Sequence, residues 1–397
     1  MQARLNPLLS PGVDAELERV ETDVEIEPQV FEDYVADLKR DQEMARFDSA
    51  FVTVPTGYGA GTSLAPIARL LLARAIVSGD VSGTVETFRS YIEKNSAPMI
   101  AVMAVWGAKT TREVRLGPDI LLLPLTSVPP SWPRWEALGH TPIPSSGSRD
   151  LTSSPASAAL VTDLDFGPIF YWPTEGGFFS AAAQQRTTSA FHDLDEARML
   201  LSLLGISTSL KLFWVHPKDP LMRAGANAGW LSGRERFDGK DVEVDVDDAE
   251  ALAAVYFGMD PTRRQETLHI PLDRLERAIR GDDLADRSID LGIALEALLL
   301  HELDDDRGEL RFRLSLRGAW LGGIDPQERA KIQRTLKDVY DLRSSAVHTG
   351  RVEPNQKNYE TIASGTSLCR QLILKMIQAD GRVDWSTLLL GGPTGEA

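Results

Sequence analysis

Apolar residues recur at helical spacing through the last third of the chain, most regularly between residues 325 and 350. Asp325 followed by Pro326 is typical of a helix start, because Asp accepts hydrogen bonds from free amides and proline at the first position loses none. Gly350 is typical of a helix end. We therefore predict one capped helix that packs through a single apolar stripe. The stripe consists of Ile332, Leu336, Val339, Ala346 and Val347.

Further helices are predicted around it, over residues 288–301, 309–321 and 359–376. The first of these is apolar around most of its circumference, as expected of a buried helix in a bundle. Glu296 interrupts it, so this carboxylate is either paired or next to a wet crevice. The basic candidates for pairing are Arg311, Arg313 and Arg317. We predict an all-α helical bundle over residues 265–385.

The first two thirds of the chain mix two kinds of periodicity. Helical spacing recurs over residues 30–38, 64–77, 84–94 and 192–204. Short apolar runs broken by glycine and proline predict strands over residues 50–54, 98–106, 113–116, 120–125, 158–175 and 209–216. We predict a mixed α/β domain over residues 25–260, and an α+β fold for the whole chain.

Three segments are predicted to lie outside regular structure. Residues 1–24 are polar and acidic and predict a flexible arm. Residues from about 127 to 157 are rich in proline and serine and predict a surface loop. Residues 386–397 predict a disordered tail.

A strand, a glycine-rich turn and a helix follow one another over residues 50–77, which is the order found in phosphate-binding loops. Gly57, Gly59 and Gly61 would let backbone amides approach an anion. The Gly-Lys-Ser/Thr ending and the Gly-x-Gly-x-x-Gly spacing are both absent. A tight turn or a flexible loop is therefore favoured over a nucleotide-binding loop.

Neither a metal nor a cofactor is predicted. The acidic run over residues 238–250 lacks the EF-hand register, so we predict a solvated edge strand or loop there. The histidines other than His348 lack ligand spacing with one another or with Cys369. As the only cysteine, Cys369 excludes a disulfide within the chain and fits a reducing compartment, and its apolar neighbours predict a buried thiol.

The formal net charge of −16 argues against a protein that coats nucleic acid non-specifically. Residues 1–261 hold 22 basic and 36 acidic residues, or −14, whereas residues 262–397 hold 20 and 22, or −2. The nearly neutral C-terminal region permits contact with RNA at one face. Neither an N-terminal signal nor a membrane-length apolar run is visible, so we expect a cytoplasmic protein without a membrane partner.

Three blocks in the C-terminal region together resemble a known family, in the order Ala294–Leu299, Leu310–Arg317 and Tyr340–His348. They resemble the HEPN domain superfamily, specifically its ApeA-like branch, over about residues 270–380. The signature of that superfamily is an Arg followed after four to six residues by a His, and Arg343 and His348 match it.

The resemblance implies a metal-independent endoribonuclease whose Arg and His meet across a two-fold homodimer interface, often in bacterial defence or toxin systems. Many relatives are instead non-catalytic modules for binding RNA or nucleotides or for dimerisation, and that alternative stays open. Ser344 slightly favours the alternative, because active relatives often carry Asn, Asp or His beside the Arg. Residues 25–260 are predicted to sense, bind or regulate in response to a ligand or trigger that the sequence does not identify.

Cleaving RNA without a metal requires proton transfers at the 2′-OH and at the leaving 5′-oxygen, and stabilisation of the charge on phosphorus. A histidine titrating near neutrality suits the proton transfers, and a forked, permanently charged arginine suits the phosphate. Ser344 lies four residues before His348, shares its helix face, and could orient the imidazole or bind phosphate. The predicted catalytic residues are thus Arg343, His348 and Ser344. The predicted substrate-binding residues are Arg317, Glu296 and Tyr340.

Five residues on an ideal helix correspond to about 500°, so Arg343 and His348 point roughly 140° apart. Their convergence requires the helix to unwind near Thr349 and Gly350, the arginine side chain to bend round, or a second subunit to bring its own pair. In the competing interpretation Arg343 pairs with an acidic residue and His348 caps the C-terminus of the helix. The acidic candidates are Asp338, Asp341 and Glu296.

Overall fold

The computed structural model describes residues 26–139, 155–172, 179–208, 211–218, 230–232, 240–301 and 309–391. The chain divides into two compact units. The first comprises residues up to Glu113, Asp119–Leu194 and Leu210–Asp241; the second comprises Val114–Pro118, Asp195–Ser209 and the chain from Val242 onward. The predicted α+β class is confirmed, because the extended sheets lie in the N-terminal half and helices fill the C-terminal part.

The first unit contains most of the strands. Its helices are α1 (Pro28–Arg40), α2 (Gln42–Ala45), α3 (Leu64–Ser78), α4 (Val81–Lys94), α5 (Trp132–Ala137) and the first part of α6 (Ala181–Leu203). Its strands are β1 (Phe51–Thr53), β2 (Gly59–Gly61), β3 (Ala97–Val105), β4 (Ala108–Lys109), β6 (Ile120–Pro124), β7 (Ala158–Phe166), β8 (Phe170–Tyr171), β9 (Lys211–Pro217) and β10 (Trp230–Ser232). Strand β5 (Val114–Arg115) belongs to the second unit.

An antiparallel sheet forms the core of the first unit. Within this unit its strands follow the order β10-β9-β3-β7-β6. In β3 every residue from Ala101 to Val105 is fully buried. A strand covered on both faces needs no polar alternation, which explains the continuous apolar run in this part of the sequence.

The glycine-rich segment is not a phosphate cradle. Strand β2 folds back antiparallel on β1, with Gly59 opposite Thr53 and Gly61 opposite Phe51. The amide at the start of α3 donates to a carboxylate of the chain itself, from Leu64 N to Asp48 Oδ1 at 3.0 Å. An anion at this helix end would have to displace a negative charge that is already there.

The second unit is built almost entirely of helices. These are the end of α6, then α7 (Val246–Gly258), α8 (Pro261–Thr267), α9 (His269–Arg280), α10 (Leu284–Leu300), α11 (Leu310–Gly322), α12 (Pro326–Thr349), α13 (Gln356–Gln378) and α14 (Trp385–Leu389). Strand β11 (Val242–Glu243) comes directly before α7 in the sequence. As predicted, α10 is buried around most of its surface, from Leu284 to Leu299. Cys369 is buried in α13, and burial raises the pKa of its thiol to about 12.

The predicted edge strand or loop over residues 238–250 is wrong in its second half, where α7 begins. Asp245 caps α7 by accepting a hydrogen bond from Asp248 N at 3.1 Å. Asp247 and Asp248 occupy the first turn, where negative charge is favourable. Helix α7 belongs to the second unit, whose C-terminal segment starts at Val242.

Two segments predicted to be irregular contain short helices. Helix α5 lies within the predicted loop at residues 127–157, and its N-terminus is capped by the Ser131 hydroxyl. Helix α14 includes the first residues of the tail predicted at residues 386–397, and its Trp385 and Leu388 are buried. The predicted arm at residues 1–24 and the remaining parts, residues 140–154 and 392–397, lie outside the described residues. None of the helices in the described ranges combines the length and apolarity that a membrane span requires.

A buried ion pair ties α6 to α9 within the second unit. Arg198 and Glu276, 2% and 5% exposed, share two hydrogen bonds of 2.7 Å. Burial alone would raise the pKa of Glu276, but the charge and hydrogen bonds of Arg198 outweigh it and lower that pKa. The carboxylate therefore stays charged although it is buried.

Close packing of α13 depends on Gly365. A Cβ at this position would lie 2.5 Å from Val339 Cγ2 and 2.9 Å from Leu291 Cδ2. We expect Gly365→Ala to lower the free energy of unfolding by about 1–3 kcal/mol in urea denaturation, because the added methyl overpacks the core.

The matched control is Gly258→Ala at the end of α7, where an added Cβ meets nothing within 4 Å. That variant should stay within about 0.5 kcal/mol of the wild type. Equal stabilities of the two variants would show that the packing at Gly365 is not tight.

Candidate functional site

Helix α12 carries Arg343, Ser344 and His348, and its predicted ends are confirmed. The Asp325 carboxylate accepts hydrogen bonds from the Gln327 and Glu328 amides, both at 2.8 Å. At the other end Gly350 adopts a left-handed conformation, with φ of 68°, and donates to Ala346 O at 2.8 Å. Because the helix stays intact through Thr349, unwinding does not bring the arginine and the histidine together.

Arg343 lies on the side of α12 that faces the bundle. Its Cγ would be 2.5 Å from a Cβ added at Gly292 of α10, so the arginine stem packs where α10 has no side chain. Arg343 Nη2 donates to Glu296 Oε2 at 3.2 Å, and the two side chains are 26% and 25% exposed. Arg343 Nε is buried without a hydrogen-bond partner. Glu296 is one of the acidic partners of Arg343 that the competing interpretation of the sequence proposes.

The other acidic candidates, which lie on α12, do not form an ion pair with Arg343. Asp341 Oδ2 accepts from Arg311 Nη2 at 2.6 Å, which also removes Arg311 as a partner of Glu296. Arg317, predicted to bind substrate, donates to Leu299 O at 2.7 Å. Its guanidinium also lies 4.7 Å from the centre of the Trp385 ring. These contacts give Arg317 a packing role in joining α10, α11 and α14.

The Glu296 carboxylate is incompletely compensated. Burial raises its pKa above the ordinary range, and the positive charge of Arg343 offsets that increase only in part. The single hydrogen bond of 3.2 Å is long for a charged pair, which typically bonds at about 2.7–2.9 Å. Glu296 thus orients Arg343 without saturating it, and further acceptors can bind the remaining guanidinium N–H groups.

Tyr340 lies one turn before Arg343 and is partly buried. The Arg343 Cζ atom is 6.0 Å from the centre of its ring, at the outer limit of a cation–π contact. Tyr340 therefore lies next to the guanidinium.

His348 is exposed and points away from Arg343. The intact helix keeps the two side chains roughly 140° apart. Ser344 is partly buried and only about 40° from His348 around the helix axis. The neighbouring Val347 is 52% exposed, although it was predicted to belong to the packed stripe. In one copy of the chain Arg343 therefore lies with Glu296 and Tyr340 on one side of α12, and His348 lies with Ser344 on another.

Gly292 is the site residue that the sequence analysis missed. It interrupts a helix of otherwise large apolar residues, and a glycine inside a helix usually reflects a packing or functional need. That signal was available, but only the structure shows that the need comes from Arg343.

Comparison of the chain with family models, curated proteins and solved structures found no match. Within the described ranges no group of three or more His, Cys, Asp or Glu side chains is arranged to hold a metal ion.

The state of Glu296 generates a stability prediction. A raised pKa means that the charged carboxylate is less favourable in the folded chain than in the unfolded chain. The protonated carboxyl therefore stabilises the fold at low pH, and this contribution is lost as the pH rises through the folded pKa. We expect Glu296→Gln to unfold at the same or a slightly higher temperature than the wild type at pH 7. The difference should vanish as the pH approaches the range in which the carboxyl is protonated.

Glu276→Gln is the matched control, because that buried carboxylate is bound by Arg198 and its pKa is lowered. Weakening a buried pair costs up to about 3 kcal/mol, so this variant should melt well below the wild type at pH 7. A comparable loss in Glu296→Gln would contradict the incomplete compensation of Glu296.

Proposed function

We propose that the chain is a metal-independent endoribonuclease of HEPN type that acts as a homodimer on RNA. The observation that carries the proposal is Arg343, a partly exposed guanidinium held by one long bond to Glu296 and with its Nε unpartnered. The same rigid helix presents the exposed imidazole of His348. These are the two groups that metal-free phosphodiester cleavage needs.

In this proposal the 2′-oxygen of the RNA attacks the adjacent phosphorus and the bond to the 5′-oxygen breaks. His348 removes the proton from the 2′-OH or supplies one to the leaving 5′-oxygen, and water makes the other transfer. Arg343 stabilises the negative charge that develops on the phosphate oxygens. Ser344 orients His348 or binds phosphate. The products are a 2′,3′-cyclic phosphate and a free 5′-OH.

The angle between the two side chains supports a homodimer. Roughly 140° separates Arg343 from His348, and a second copy would supply the other half of each site. Two exposed apolar side chains near helix ends support a protein–protein interface there. They are Val347 on α12, 52% exposed, and Tyr359 on α13, 45% exposed. A dimer through the helical bundle would cover them.

A second function, a non-catalytic module that binds RNA or nucleotides, is favoured by one observation. The ion pair with Glu296 gives Arg343 a structural partner, as in the competing interpretation of the sequence. Such a module would bind RNA through Arg343 without cleaving it.

The test is to incubate the full chain with mixed RNA in EDTA. We expect cleavage to persist in the chelator and to fall by at least about a hundredfold in Arg343→Ala and in His348→Ala, which is the usual scale for a proton-transfer or charge-stabilising group. Gel electrophoresis with end-group analysis measures the cleavage and identifies the cyclic phosphate.

Arg334→Ala and His192→Ala are the controls, because both residues are exposed and lie outside the proposed site. Both should cleave like the wild type. RNA that is bound but not cut by the wild type would favour the binding module. Cleavage that survives in both site variants would refute the assignment of Arg343 and His348.

A further inference from the structure

Arg370 on α13 is a partly buried arginine without a counter-ion. It forms no hydrogen bond or ion pair with any residue in the part of the chain that the structure describes, and its Nε is buried without a partner. Three other arginines in the helical unit are compensated. Arg198, Arg264 and Arg274 each bind a carboxylate, at 2.7, 2.8 and 2.9 Å. A guanidinium withdrawn from water without such a partner is costly.

Thr366 supplies a second unused polar group on the same face. It lies four residues before Arg370 on α13, the spacing at which helix side chains are neighbours. Thr366 is 7% exposed, and its buried hydroxyl also has no hydrogen-bond partner. Buried polar atoms are nearly always hydrogen-bonded in native proteins, so two adjacent unpartnered groups indicate a missing acceptor.

The turn that ends α6 lies against the Arg370 guanidinium. A Cβ added at Gly205 would be 3.8 Å from Arg370 Nη1, so the guanidinium lies beside a turn without a side chain. The amides of Gly205 and Ile206 already donate to Ser202 O and Leu201 O within that turn. The carbonyl end of α6 attracts the Arg370 cation electrostatically. It supplies no hydrogen bond to the Thr366 hydroxyl or to Arg370 Nε.

We propose that Arg370 and Thr366 form a binding site for a small oxyanion, a phosphate group or a carboxylate. The planar fork of a guanidinium donates to two oxygens of either group, and the threonine hydroxyl donates to one of them. Burial also lowers the pKa of Arg370, as expected of a cation that lacks an anion. This site does not depend on the proposed cleavage of RNA, and it uses neither Arg343 nor His348.

Isothermal titration calorimetry of the full chain tests the site, with inorganic phosphate in one arm and acetate in the other at constant ionic strength. We expect saturable binding of one of these anions by the wild type, and the arm that binds identifies the ligand class. Arg370→Met should weaken binding by at least about tenfold and Thr366→Val by about threefold, since a charged hydrogen bond contributes more than a neutral one.

Arg382→Met is the control, because Arg382 is exposed near the end of the same helix, and it should bind like the wild type. Thr366→Val is nearly isosteric, so it keeps the test valid if Arg370→Met fails to fold. Binding of neither anion by the wild type would overturn the proposal. Unchanged affinity in a folded Arg370→Met, or in Thr366→Val where Arg370→Met does not fold, would overturn it as well.

Discussion

The close approach of Arg343 to Gly292 determines the arrangement of the candidate site. The arginine stem occupies space on α10 that any side chain at position 292 would fill. The bundle thus brings a cation to the edge of its core. Glu296, one turn further along α10, accepts a hydrogen bond from the guanidinium of that cation. Because the carboxylate is itself partly desolvated, the pair orients the guanidinium and adds little to stability.

The same packing limits what a single chain can do. Helix α12 is capped at both ends and intact through Thr349, so Arg343 and His348 are fixed on different sides of one rigid element. A rigid helix holds reacting groups more accurately than a loop does, but it cannot turn them toward each other. Chemistry that needs both groups therefore needs two helices, which the proposed homodimer would provide. The oxyanion site proposed at Arg370 lies on α13 and is independent of this requirement.

Much of the helical unit could be predicted from the sequence, because its signals are local. Asp325, Pro326 and Gly350 mark the ends of α12 by their own chemistry. The errors have non-local or competing causes. The acidic residues before Ala249 are compatible with a solvated strand as well as with a helix start, and the cap at Asp245 decides between them. The glycine-rich segment is not one of these errors, because the sequence already favoured a turn or loop there and β2 pairs antiparallel with β1. The partners of Arg317 and Arg343 depend on tertiary packing, which no spacing rule contains.

The central claim is that each complete site combines Arg343 of one copy with His348 of another. Mixing the inactive variants Arg343→Ala and His348→Ala in equal amounts, under conditions that exchange subunits, tests it most directly. About half of the dimers will then be mixed, each with one intact site, so ribonuclease activity should recover to about a quarter of the wild-type value. If mass measurement confirms mixed dimers and no activity returns, the shared site is contradicted.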